Sequence, residues 1–247
     1  MKTKTRKFVS MFVAVMMILV CAVPAFAAAP DEEVVYAVNS NGETYGNYLQ
    51  EMEIGYQADL VYAVGVNGIT GYVKVSDLDD SITTPLDAIN QGNDYYIPLY
   101  LDDGVTVIGQ FQVIGNNANH PQTRGAYTYG STGYMYPPGY VGESRSGIKG
   151  SFLGVTATTS VTTSEEVNIN WIGIQARCYR KSDGALMASS SWKYNDSDTT
   201  AHSHDVYLMS LLDEEYYSAG YVKLWNSQIS DYWTYSTFNS PIAKPST

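Results

Sequence analysis

Two histidines one residue apart, followed directly by an acid, stand at His202-Ser203-His204-Asp205. Residues two apart on a β-strand share a face, so two imidazoles there could share a zinc ion, with Asp205, another acid or His120 as the third ligand. The same residues also suit the polar start of an exposed strand. Asn195-Asp196-Ser197-Asp198 and Asp77-Leu78-Asp79-Asp80 offer the hard oxygens that calcium takes. Neither continues into the twelve-residue calcium loop with its Gly and distal Glu, and turns use Asp and Asn for backbone hydrogen bonds anyway.

Hydrolysis would need paired acids, or a nucleophile with a base and an orienting group. Glu165-Glu166 and Asp213-Glu214-Glu215 are adjacent acids on expected loops, where solvated clusters are ordinary. There is no Gly-x-Ser-x-Gly, no His-Glu-x-x-His and no Gly-rich phosphate loop. The chain therefore reads as a non-enzyme, with a metal-dependent hydrolase acting through His202 and His204 as an alternative. Cys178 lies in the alternating stretch Ile172 to Tyr179, which predicts a buried structural thiol rather than a nucleophile.

Binding is the stronger reading, because the chain holds 22 Tyr and 4 Trp. Aromatic rings stack on sugars and give broad, rigid contact area, with the tyrosine hydroxyl as a polar handle. Trp192, Trp225, Tyr232, Trp233 and Tyr235 are the candidate ligand-binding residues. Trp and Tyr also fill sandwich cores, so the same residues suit packing. Over 232–237, alternation puts Trp233, Tyr235 and Thr237 on one face and Tyr232, Thr234 and Ser236 on the other. The bulkier pair, Trp233 and Tyr235, predicts the core face, which leaves Tyr232 the more exposed aromatic.

Export is written at the start. Lys2, Lys4, Arg6 and Lys7 precede an apolar run from Phe8 to Val23, then Pro24 and Ala25-Phe26-Ala27. That is a signal peptide over 1–27, cleaved after Ala27 or Ala29; Cys21 follows Val20, which is bulkier than lipoprotein processing prefers. Its removal takes four basic residues and no acidic one, moving the formal charge from −11 to −15. It also takes Cys21, so the remaining chain cannot form an internal disulfide. Such acidity excludes nucleic acid as a partner and keeps an exported protein soluble; no membrane is expected as a partner after cleavage.

The elements expected to position these residues are mainly β. Asn41-Gly42 and Asn67-Gly68 supply the positive backbone dihedrals of tight hairpins, and Asp102-Asp103-Gly104 joins a third pair. Thr84 to Ile89, with Pro85 at its first position, predicts a short helix. Residues 34–114 thus read as a small α+β unit. A linker rich in Tyr, Gly, Pro and Asn follows over 115–147. Six or more short strands over 148–240 predict an antiparallel β-sandwich, with Leu208 to Glu215 as a loop.

Asn41-Gly42-Glu43-Thr44-Tyr45-Gly46, Gly71-Tyr72-Val73-Lys74-Val75-Ser76-Asp77-Leu78, Ile97-Pro98-Leu99-Tyr100 and Thr106-Val107-Ile108-Gly109 carry a resemblance. Across roughly residues 39–113 the chain resembles a segment of secreted or membrane-tethered Gram-positive proteins of unassigned function. The part holding Ala176-Arg177-Cys178-Tyr179 and Tyr232-Trp233-Thr234-Tyr235 is similar to small exported β proteins. The resemblance implies export and a Firmicutes-like source, and it brings no catalytic residues. The expectation is an extracellular, non-catalytic surface or envelope-associated module whose partner is a cell-surface carbohydrate or protein. A secreted bacteriocin- or toxin-like effector is the alternative.

Overall fold

The computed structural model describes residues 34–79, 81–89, 94–115, 126–210 and 213–245. The expected signal segment, His120, Asp80 and part of the expected linker lie outside them. Among the described residues no helix is long and apolar enough to cross a membrane. The chain is mainly β, and residues 35–247 form one compact unit.

The first hairpin, β1 (Ala37–Val38) and β2 (Thr44–Gly46), turns at Gly42, whose φ of 83° suits glycine. A helix over Tyr48–Ile54 follows, which the sequence reading missed. Its signal is Asn47-Tyr48-Leu49-Gln50. The Asn47 side chain accepts from the Gln50 amide and the Gln50 side chain accepts from the Asn47 amide, each at 3.0 Å, a reciprocal cap. The next two hairpins are as expected: β3 (Leu60–Val64) with β4 (Thr70–Lys74), then β5 (Tyr95–Tyr100) with β6 (Val107–Ile114). The helix expected over 84–89 shrinks to a 3-10 turn at Asp87–Ile89, anchored by Thr84 donating to the Asp87 carboxylate.

Twelve further strands complete the chain: β7 (Thr128–Tyr129), β8 (Gly133–Met135), β9 (Gly142–Ser151), β10 (Gly154–Val167), β11 (Ile172–Gln175) and β12 (Arg177–Arg180) come first. They are followed by β13 (Leu186–Ser190), β14 (Lys193–Tyr194), β15 (Thr199–Met209), β16 (Tyr216–Ser218), β17 (Tyr221–Asn226) and β18 (Asp231–Ser236).

Strand β13 corrects the expected division into 34–114 and 148–240. It runs parallel to β6 and also to β3, so β3, β4, β5, β6 and β13 pair in a closed ring. The apolar interior of that ring mixes Val61, Val73, Leu99 and Phe111 with Leu186, Tyr179 and Tyr217. The N-terminal hairpins lack a fifth stave of their own and take it from the later chain. Segment 115–147 is not a linker between separate cores either, since its β7 and β8 both pair with β9.

The sandwich sets the sheet β15-β10-β9-β7 against a second layer. Ile148, Val155, Ala157 and Val206 meet Ala176, Cys178, Ala188 and Tyr216 at one end. Val161 and Val167 meet Ile172, Ile174, Val222 and Leu224 at the other. The second layer breaks between β11 and β12, between β13 and β14, and between β16 and β17, so its far half belongs to a separate sheet, β14-β11-β17-β18. Polar side chains fill this break: Ser190 accepts from the Ala176 amide, and Gln175 donates to the Leu78 carbonyl. Gly220 sits in the break because a Cβ there would lie 2.0 Å from Thr159 Oγ1.

On β18 the expected burial is reversed. Tyr232 is 8% exposed and Trp233 38%. Trp233 and Tyr235 stand opposite Leu224 and Val222, so they do face the sandwich interior, but β18 is an edge strand and its interior face is incompletely covered. The other face, expected to be open, is closed over Tyr232 by Ile82 and Ala88.

Candidate functional site

Strand β9 reads Gly-Glu-Ser-Arg-Ser-Gly-Ile-Lys-Gly-Ser, and its pleat sends successive side chains to opposite faces. Ser144, Ser146 and Ile148 are buried toward the sandwich interior; Glu143, Arg145 and Lys149 are directed outward. Register fixes their neighbours. Gly147 stands opposite Tyr129 on one side and Thr158 on the other, with Asp205 beyond Thr158. Arg145 stands opposite Ser160, and Glu143 opposite Tyr134 and Thr162. The outer face of this sheet is therefore a row of hydroxyls crossed by tyrosine rings and two cations.

Tyr127 reaches across β9 and β10, and its hydroxyl donates to Asp205 Oδ2. Burial, and then the neighbouring Asp205 carboxylate, push its phenol pKa well up, so it stays a donor at neutral pH. The Lys149 ammonium lies 4.3 Å from the Tyr127 ring centre, and the Arg145 guanidinium 5.9 Å from that of Tyr129. Tyr127 and Tyr129 are 6.0 Å apart. Tyr129 and Tyr134 remain 43% and 58% exposed, so neither ring is core packing.

Among the described residues the cations on this face differ from most others. Lys74, Arg180, Lys181, Lys223 and Lys244 each hold a carboxylate oxygen at 2.7 to 3.1 Å. Among the described residues Arg145 and Lys149 make no ion pair, although Glu143 shares their face; Lys193, on β14, and the buried Arg177 make none either.

The five aromatics singled out from sequence do not form one site. Trp192 and Tyr232 are buried with Tyr194 and Tyr221, with Trp225 packed against them. The Tyr232 hydroxyl donates to the Asn170 carbonyl, and Lys223 Nζ lies 4.4 Å over Trp192. Trp233 and Tyr235 lie on the opposite face of β18, with ring centres 6.5 Å apart. The metal trio is divided as well. His202 and His204 share one face of β15, His202 Nε2 lying 3.2 Å from the Lys193 carbonyl, with burial depressing its pKa. Asp205 is exposed on the other face, engaged by Tyr127. No group of three His, Cys, Asp or Glu among the described residues is placed to share an ion.

The calcium candidates hold backbone amides or a lysine instead. Asn195 Oδ1 accepts from the Ile172 amide, Asp198 Oδ1 accepts from the Ile169 amide, and Asp79 pairs with Lys223. Cys178 is fully buried, and burial raises its thiol pKa far above the usual range. A half-open groove of about 460 Å³ lies where β3, β6, β13 and β15 approach, lined by Val64, Phe111, Ile114, Met187 and Met209. Asp94 at this groove already accepts from Gln112 and from the Gly115 amide.

No family model, no curated protein and no solved structure matches the chain. Sequence reading missed the outer face of β9 because Tyr127, Tyr129 and Tyr134 fell in a segment read as linker. The available signal was the alternation Glu143, Arg145, Gly147, Lys149, which marks a strand with a polar outer face.

Proposed function

We propose that the chain is an exported, non-catalytic module, associated with a cell surface or envelope, that binds glycan on the outer face of the β15-β10-β9-β7 sheet. The observation that carries this reading is the pair of exposed rings, Tyr129 and Tyr134, standing on a face of Thr and Ser hydroxyls with no role in a core. Stacking of a sugar ring on an aromatic face removes apolar C–H surface from water, and the exposed Thr162 hydroxyl beside Tyr134 and Glu143 can pair with the sugar's own. Outward side chains of Glu143, Arg145 and Lys149 follow one another along a ten-residue strand, an extended arrangement that suits a polymer better than a small substrate. The signal-type leader and the acidic charge suit work outside the cell.

Pull-down of the signal-free protein on purified cell wall and on insoluble polysaccharides tests the proposal. The protein should sediment with at least one of these polymers, and Tyr129→Ala combined with Tyr134→Ala should abolish sedimentation while the melting temperature holds. Retention of full binding by the double variant would move the site off this face.

A further inference from the structure

Two cations on the binding face bear on which kind of glycan it takes. The inference rests on the proposed binding reading and goes beyond it by naming the ligand's charge.

In an acidic protein, cations are expected to find carboxylates. Five of them do so at 2.7 to 3.1 Å. Among the described residues Arg145 and Lys149, four residues apart on one strand and on one face, do not; Lys193 and the buried Arg177 make no ion pair either, but they stand apart from this face. Each instead lies over a tyrosine ring, Lys149 over Tyr127 at 4.3 Å and Arg145 over Tyr129 at 5.9 Å, a contact that leaves its N–H donors unpaired with carboxylates. Five guanidinium donors in a planar fork match a carboxylate or phosphate.

The spacing places the charge between the two rings. Tyr134 stands opposite Glu143 and Tyr129 opposite Gly147, with Arg145 midway along β9. Four residues of strand span about 14 Å, so the rings address separate units of one oligosaccharide and the guanidinium lies between them. We propose that an extended glycan runs along β9, stacking on Tyr129 and Tyr134 and placing a carboxylate or phosphate group on Arg145, with Lys149 serving a second. The overall negative charge opposes approach of an anion. Charge beyond about 8 Å is screened at physiological ionic strength, whereas a contact at hydrogen-bond distance is not.

Matched probes separate charge from sugar. Titration of the signal-free protein should use tetragalacturonate, its fully methyl-esterified form, and a phosphomannan fragment. The expected result is that tetragalacturonate or phosphomannan binds about tenfold or more tighter than the neutral ester, the scale of a charge-assisted hydrogen bond. Arg145→Gln with Lys149→Gln should erase that preference while leaving binding of the ester in place. Loss of uronate binding alone, or of phosphomannan binding alone, in this variant identifies which anion the site takes. Equal affinity for the uronate and its ester, still lost in the Tyr129→Ala, Tyr134→Ala variant, overturns the anionic inference and leaves the binding face standing. Failure of all three probes to bind the wild-type protein, together with no polymer retained in the pull-down, overturns both.

Discussion

Among the described residues arginine lies over tyrosine twice, in opposite settings. At the junction of ring and sandwich, Arg177 is buried 4.3 Å over Tyr221, and its Nε donates to Gln175 at 2.8 Å. Tyr221 in turn donates to Glu51 of the Tyr48–Ile54 helix, and Tyr48 stacks on Tyr179 at 4.3 Å. On the outer face, Arg145 lies 5.9 Å over an exposed Tyr129 with no carboxylate partner. The same residue pair ties elements together where every polar atom is withdrawn from water, and presents donors where water is plentiful. Tyrosine content alone does not separate these roles; coverage of the strand's face does.

The largest expected effect breaks the buried member of the comparison. Arg177→Ala should destabilise by about 3–5 kcal/mol, because it leaves a cavity over Tyr221 and strands the buried Gln175 Oε1 without its charged donor. Arg145→Ala should leave the denaturation midpoint unchanged. Chemical denaturation of both variants checks the contrast, and equal midpoints would show that Arg177 is not a tie between the ring and the sandwich.

Slightly smaller effects are expected on β18. Tyr232→Ala removes a ring packed against Trp225 at 5.1 Å and should cost about 3–4 kcal/mol. Trp233→Ala, at an edge and partly exposed, should cost about 1 kcal/mol. Thermal melts of the two variants give the order, and a reversed order would restore the assignment of faces drawn from sequence.

Glu51 sharpens the comparison through pH. Burial raises its carboxyl pKa above the ordinary 4.5, with the Tyr221 hydrogen bond and the Arg177 charge opposing. The folded state therefore holds this proton more tightly than the unfolded chain. Its contribution is fully present below pH 4.5 and is lost as pH rises through the raised value. Glu51→Gln keeps an acceptor for Tyr221 and removes the titration, so its stability should fall less between those two values than that of the wild-type protein. Parallel pH profiles would mean that Glu51 does not titrate in this window.

Much of the fold was legible because local chemistry wrote it. Asn-Gly turns announced two hairpins, alternation announced most later strands, and Cys178 in an alternating apolar stretch announced a buried thiol. What alternation cannot reveal is what lies on each face. Nothing in Leu186 to Ser190 says that this strand joins β6 and β3, some 75 to 125 residues earlier, because parallel pairing across such distance leaves no turn signature. Tyr232 was misjudged for the same reason: its cover, Ile82 and Ala88, comes from a distant loop. The two-residue strand β7 was too short for a period to register, which hid Tyr129 and with it the outer face.

A small stability effect falls at Gly147, and it tests whether Tyr129 belongs to the surface. The backbone there has no positive φ, so alanine fits the strand, and replacing a strand glycine by alanine favours folding by roughly 0.5–1 kcal/mol. A Cβ at this position would approach Tyr129 Cδ1 and Cε1 at 2.7 and 2.8 Å, and Thr158 Cγ2 at 3.0 Å. The ring is the far end of a side chain on an exposed two-residue strand, so it can lift away, whereas Thr158 is buried and must give by a few tenths of an ångström. The opposing terms leave Gly147→Ala within about 1 kcal/mol of the wild-type protein by melting. The lifted ring no longer lies against Gly147 beside Arg145, so glycan affinity should fall several-fold without loss of fold. A melt as depressed as that of Tyr232→Ala would instead make Tyr129 part of the packing, and the contrast between the two tyrosine regions would collapse.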